Sequence, residues 1–393
     1  MKRYLVLAVS ISILLCIGGI YAWSVFVPPL RADYGLSASQ AQLIFGATIA
    51  SFTISMILAG RWQERIGPRP VATLGGLLFG GGYLLGSLSR GEFFLLLLGL
   101  GIIAGIGVGF VYVCPLATCL RWFPERKGLV TGLTVAGFGL GAVFQSAIVE
   151  SLFARAMDVL TIFAWIGGAY GAVIVGGASF LSVPGHPAGQ TPRPLPLRAL
   201  LSERSFWTLL AGMFAGTFAG LLVIGNLKPI GLEAGVGTHV ATVAISLLAV
   251  GNALGRISWG WLFDRFGWKT IPASLFLLGL AVLSLLWAGL GWLFPAAVVL
   301  IGFGFGACFV LYAAQIAAIY GPEKVGRIYP LVFLAYGLSG IAGPLIGGWF
   351  FDLYRSYIGA ILTASILSFA GAVAAMVLLS RSPISSSDRA GNG

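Results

Sequence analysis

Apolar runs recur along the whole chain, separated by short stretches that carry most of the charge. A helix that spans a bilayer needs about 20 mostly apolar residues. That rule predicts twelve spans: Tyr4–Leu30, Ala41–Gly60, Val71–Ser89, Phe93–Leu120, Leu129–Phe153, Val159–Val183, Arg204–Gly231, Thr238–Phe263, Ile271–Gly289, Leu293–Tyr320, Tyr329–Phe351 and Tyr357–Ser380. The first follows Met1-Lys2-Arg3, is long for a signal peptide and lacks a clear cleavage site before Arg31, so it reads as a retained helix. Residues 184–203, rich in Pro and polar side chains, are the one long connection. The expected organisation is a six-helix half over 1–183, a linker over 184–203, a second six-helix half over 204–380 and a tail over 381–393.

Composition removes the soluble alternatives. Apolar residues make up 58%, charged residues 9%, and the mean hydropathy is +0.98; soluble domains carry about 25% charged residues. The net charge of +11 does not point to nucleic acid, because the basic residues sit in short clusters between spans, where they encode orientation. With the N-terminus inside, seventeen Lys and Arg fall on the cytoplasmic side, five outside, and Arg256 on neither. Both termini are therefore expected in the cytoplasm. Cys16, Cys114, Cys119 and Cys308 all lie within apolar runs, away from His186 and His239, so no metal, cofactor or enzymatic constellation is expected.

The halves repeat at an offset of 200 residues. Gly60-Arg61-Trp62-Gln63-Glu64-Arg65-Ile66-Gly67 matches Gly260-Trp261-Leu262-Phe263-Asp264-Arg265-Phe266-Gly267, Pro29 matches Pro229, and Tyr112 matches Tyr312. Further on the offset slips to 198, where Phe138 meets Tyr336. Parallel six-helix repeats of this kind are a transporter architecture, with the cargo site between the halves near mid-membrane.

One charge is out of place. Arg256 lies in the eighth span, eight residues before Asp264 and so about 12 Å from the cytoplasmic loop. A buried intramembrane Arg costs several kcal/mol unless paired and marks a functional site by default. None of the twelve acids lies at comparable depth in this assignment. An anionic cargo would supply the missing charge, because a guanidinium holds a carboxylate by two parallel charge-assisted bonds. The competing account is that Arg256 pairs with Asp264, pairs with a helix C-terminus, or snorkels. Asn252 is one turn away on the same face, placed to orient the Arg or bond a cargo hydroxyl. Tyr112 and Tyr312 offer a phenol to a carboxylate and a wall to an alkyl group, and either could equally be a packing aromatic. Tyr21, Phe138, Gln145, Tyr336 and Asn226 are weaker candidates.

The duplicated loop motif, with Gly60, Arg65 and Gly67 in one copy and Gly260, Asp264, Arg265 and Gly267 in the other, resembles the signature of the major facilitator superfamily. Gly19-Ile20-Tyr21-Ala22-Trp23-Ser24-Val25-Phe26 and Arg121-Trp122-Phe123-Pro124-Glu125-Arg126-Lys127-Gly128 are similar to its bacterial oxalate/formate antiporter branch, which is akin to the monocarboxylate transporters and includes bacterial lactate transporters. The resemblance implies an all-α membrane protein of twelve helices in two pseudo-symmetric halves. It implies Arg256 as carboxylate ligand, with Tyr112 and Tyr312 closing the pocket.

Two departures shape the expected cargo. Oxalate carriers of the branch add a lysine in the eleventh helix; here Tyr329–Phe351 has no Lys or Arg, and Ser339 is near the place. With one cation, a second carboxylate would be left unpaired, which is costly. Animal monocarboxylate carriers place an acid one turn before the arginine and a lysine in helix 1; here Asn252 and roughly Val25 stand there. The expected partners are a small monocarboxylate anion such as lactate or pyruvate, a proton, and membrane lipid. The expected unit is a monomer. Exchange against another anion and conduction by an anion channel are the alternatives, and the repeat favours alternating access over a channel. A cationic-drug exporter would want an embedded acid instead.

Overall fold

The structure, a computed structural model, describes residues 2–36, 38–183, 197–289 and 291–380. Most of the expected linker, His186 and the tail 381–393 lie outside these residues.

Among the described residues every regular element is helical. α1 (Lys2–Gly18) continues as a 3₁₀ stretch, Gly19–Val25, and resumes as α2 (Val27–Tyr34). α3 (Ala38–Ile66) and α4 (Pro68–Ser87) follow. α5 (Phe93–Leu96) passes through a π-helical stretch, Leu97–Ala104, into α6 (Gly105–Trp122), and then come α7 (Lys127–Phe153) and α8 (Val159–Ala178). The second half opens with a short α9 (Leu197–Leu201), inside the stretch expected to be linker, and α10 (Arg204–Glu233). α11 (Thr238–Phe266), α12 (Thr270–Leu283), α13 (Leu293–Tyr320), α14 (Val325–Tyr354) and α15 (Ile358–Leu379) complete it.

Ten stretches are long and apolar enough to cross a membrane. One of them, Ser246–Trp287, contains both α12 and most of α11, and α4 is missing from the ten because six glycines and Arg69 lower its hydropathy. Counting both restores twelve spans. Large apolar side chains face outward on these helices, as on α11 with Val250, Leu254 and Trp261, while Gly251, Gly255, Arg256 and Gly260 are buried on the other side. That inversion suits a particle whose solvent is lipid.

The first span departs from a single helix. Pro28 and Pro29 occupy the opening positions of α2, where a missing N–H costs nothing, so the chain restarts there after the 3₁₀ turn. Gly67 (φ +85°) and Gly267 (φ +60°) close the duplicated loops in a conformation that L side chains rarely adopt, which explains why both copies keep glycine.

The described chain forms two units. The first takes α1–α6, α8 and α7 from Leu133 onward, together with Pro322–Pro330; the second takes Glu125–Gly132, α9–α13, α15 and α14 from Leu331 onward. In the second, Phe218 and Leu222 of α10, Leu278 and Val282 of α12, Val298 and Ile301 of α13 and Ile361 of α15 form a buried apolar core.

Candidate functional site

α11 and α13 pack backbone against backbone. A Cβ on Gly255 would run into the carbonyl of Phe303, and one on Gly306 would meet the carbonyl of Asn252 and, at 3.1 Å, the amide of Arg256. Small residues at this spacing bring the α11 face that carries Asn252 and Arg256 directly onto α13.

Arg256 is only 2% exposed, ten residues before the end of α11 and so about 15 Å along the helix axis from it. Its Nε donates to Asn252 Oδ1 at 2.7 Å. Its guanidinium carbon stands 4.7 Å from the centroid of the Phe309 ring on α13. A cation over an aromatic face gains about 0.5–2 kcal/mol, more when desolvated, and every N–H of the fork lies in the guanidinium plane. The Phe309 ring in turn meets Tyr336 of α14 edge-on at 5.3 Å and Phe333 at 6.1 Å. Tyr312 does not join this platform. Its hydroxyl is buried against Gly212 of α10 and has no hydrogen-bond partner among the described residues.

Asp264 does not serve as an obvious counter-ion for Arg256. Its Oδ1 accepts from the backbone N–H of Gly128 at 2.7 Å and its Oδ2 from that of Leu129 at 2.8 Å, capping the first turn of α7. Gly260 meets the carbonyl of Gly128 at the same crossing, and Arg265 lies 5.7 Å from the Phe266 ring. The first copy of the motif is built differently. Glu64 pairs with Arg327 at 3.8 Å, and Gln63 presses its amide on Gly326 in the first turn of α14. Gly60 packs on the same Gly326, and Arg65 is exposed.

In the first unit Tyr21, in the 3₁₀ stretch, packs its ring edge-on against Phe138 at 5.4 Å. Phe138 meets Tyr112 at 5.0 Å, and Phe52 of α3 lies 5.3 Å from Tyr112. Phe52 and Met56 stand 200 residues before Asn252 and Arg256, and both are fully buried. The duplicated helix position thus carries an apolar pair in one half and a polar pair in the other. Ser339, near the place of the lysine in oxalate carriers, is fully buried and bonded to Thr217 Oγ1 at 2.9 Å and to the Phe214 carbonyl at 3.2 Å, both in α10. Asn226 donates to the carbonyl of Leu222 in its own helix at 2.9 Å. Phe52 and Phe309 escaped the sequence reading, since an apolar residue in an apolar run carries no signal.

The description Major Facilitator Superfamily belongs to a family model that matches residues 9–342 and, again, 226–393. The chain belongs to the major facilitator superfamily. An "Oxalate:formate antiporter" of Oxalobacter formigenes is 28% identical over 362 residues, covering 88% of this chain and 83% of that protein. A "Monocarboxylate transporter 11" of Mus musculus is 28% identical over 375 residues, covering 88% and 80%. The crystal structure of the superfamily transporter FucP in the outward conformation superposes with a TM-score of 0.74 at 17% identity over 96% of this chain and 99% of that one, which shows the shared fold. Membership makes the chain a multi-pass membrane transporter and not an enzyme.

Proposed function

We propose that the chain is a secondary active carrier of small monocarboxylates of the lactate and pyruvate type, coupled to protons and working by alternating access. Arg256 is the anion ligand and Asn252 holds its Nε. The observation that carries this reading is a guanidinium buried within a membrane helix and set over an aromatic ring. A carboxylate accepts from the guanidinium in its plane by two parallel charge-assisted bonds. Pairing lowers the cost of burying either charge alone, so the loaded carrier closes more readily than the empty one. A single embedded Arg matches a monoanion better than a dianion. Tyr312 and Tyr336 belong to the same unit as Arg256 and are proposed cargo contacts; Tyr21, Tyr112 and Phe138 are proposed as a separate determinant of transport. The carrier is placed as a monomer in a bacterial inner membrane with both termini cytoplasmic.

Ligand-induced thermal stabilisation of the purified protein tests this. At a hundredfold excess over Kd a ligand adds about 2.7 kcal/mol to folding stability. Lactate and pyruvate are expected to raise the unfolding midpoint and oxalate to do so less, with every effect lost in Arg256→Ala. Equal stabilisation of wild type and Arg256→Ala contradicts the reading.

A second reading, exchange of organic anions, is favoured by the relative named an oxalate:formate antiporter. It keeps Arg256 as ligand and differs only in what returns across the membrane.

A further inference from the structure

In the second unit, α9 has five residues, too few for a helix that stands by itself in water. Its last four carbonyls are nevertheless all paired within the chain. Ser202 Oγ donates to the carbonyl of Arg198 at 2.9 Å. The backbone N–H groups of Ser202 and Glu203 donate to those of Ala199 and Leu200 at 3.2 and 3.1 Å. The indole Nε1 of Trp207 donates to that of Leu201 at 2.8 Å. The last carbonyls of a helix have no partner within it and commonly turn to water. With each of them answered by the chain, α9 can lie where water is scarce.

The side chains sort in the way such a place requires. Leu200 is buried, while Leu197 and Leu201, four residues apart and so on one side of the helix, are exposed. Arg198 is exposed beside them. Arg204 and Trp207, three residues apart at the start of α10, are exposed on one face of that helix, with Arg204 about 4.5 Å nearer its N-terminus. Arg204 also opens a stretch, Arg204–Leu227, that is apolar enough to cross a membrane. Outward residues of its first turn therefore stand where headgroups give way to acyl chains, the level at which Trp and Arg are favoured. Glu203 is the only acid between 197 and 232, and its carboxylate accepts from the hydroxyl of Tyr320 in α13 at 2.7 Å. The exposed surface of this corner thus presents two cations and three large apolar side chains.

We propose that Leu197, Arg198, Leu201, Arg204 and Trp207 form a docking surface for the headgroup layer of the bilayer, selective for phospholipids of net negative charge. Leu197, Leu201 and Trp207 enter the upper acyl region, and Arg198 and Arg204 hold headgroup phosphate. A zwitterionic headgroup brings its own cation toward the two arginines, whereas an anionic one leaves the phosphate charge for them. The surface lies outside the Arg256 site and is independent of the cargo.

Phospholipids brominated on their acyl chains test this, because bromine quenches tryptophan fluorescence only at close approach. The full chain is placed in nanodiscs of phosphatidylcholine and phosphatidylglycerol in equal parts, with bromine on one lipid or the other. The quenching due to Trp207 is the difference between wild type and Trp207→Phe, with Trp207→Tyr as a second blank. Brominated phosphatidylglycerol is expected to quench Trp207 several-fold more than brominated phosphatidylcholine. Arg198→Gln with Arg204→Gln is expected to make the two lipids equal while Trp207 remains quenched by both, and Arg198→Lys with Arg204→Lys to keep the preference, since charge carries it. Equal quenching by the two lipids in the wild type overturns the selectivity, as does a preference that survives in the glutamine variant. Quenching of Trp207 by neither lipid overturns the surface itself and leaves that face to water or to a second copy of the chain.

Discussion

Position 256 differs from its counterpart 200 residues earlier by the exchange of a buried Met for a buried Arg, and position 252 by that of a Phe for an Asn. Duplication supplied the same helix geometry twice, and chemistry was written into one copy. The Asn252 and Phe309 contacts then fix where the guanidinium points. Phe309→Leu removes the ring but keeps an apolar side chain, and is expected to weaken carboxylate binding by about 1 kcal/mol, several-fold in Kd, with little loss of stability; calorimetric titration with pyruvate checks it. Arg256 was legible in the sequence because a single cation stands out in an apolar run. Phe309 was not, because it is one of 27 phenylalanines and nothing in its neighbours marks it. Asn252 was legible only as a companion one turn away, and its role in holding Nε needed coordinates.

At the scale of elements, hydropathy located the helices and missed their interiors. The 3₁₀ and π stretches depend on which neighbours satisfy the backbone, as Thr48 does for Leu100, and periodicity carries no record of such partners. The duplicated loops show a second limit. Their sequences match, yet Asp264 caps α7 through two charge-assisted bonds while Glu64 forms a longer, partly exposed pair with Arg327. Charge-assisted bonds contribute about 1.5–3 kcal/mol and exposed ion pairs about 0.2–1 kcal/mol. Asp264→Asn is therefore expected to lower the thermal unfolding midpoint clearly and Glu64→Gln to lower it little, measured on the purified carrier; the reverse order would contradict the asymmetry. Gly267→Ala forces a Cβ into a conformation (φ +60°, ψ −141°) that essentially only glycine adopts and is expected to cost about 1–3 kcal/mol, read in the same assay.

For the whole molecule, the fold was legible to the level of twelve spans and a duplicated half, because lipid imposes length and hydropathy on every helix. Coupling was not, since no embedded carboxylate marks a proton path. Proteoliposomes with an inward proton gradient and no internal anion are expected to accumulate lactate; accumulation only against a loaded counter-anion would establish exchange. The measurement closest to the centre of the account is initial uptake of labelled lactate by proteoliposomes holding wild type, Arg256→Lys or Arg256→Ala. Near-background uptake is expected in Arg256→Ala and a large loss in Arg256→Lys, which keeps the charge without the planar fork. Near-normal uptake in both folded, inserted variants would contradict it.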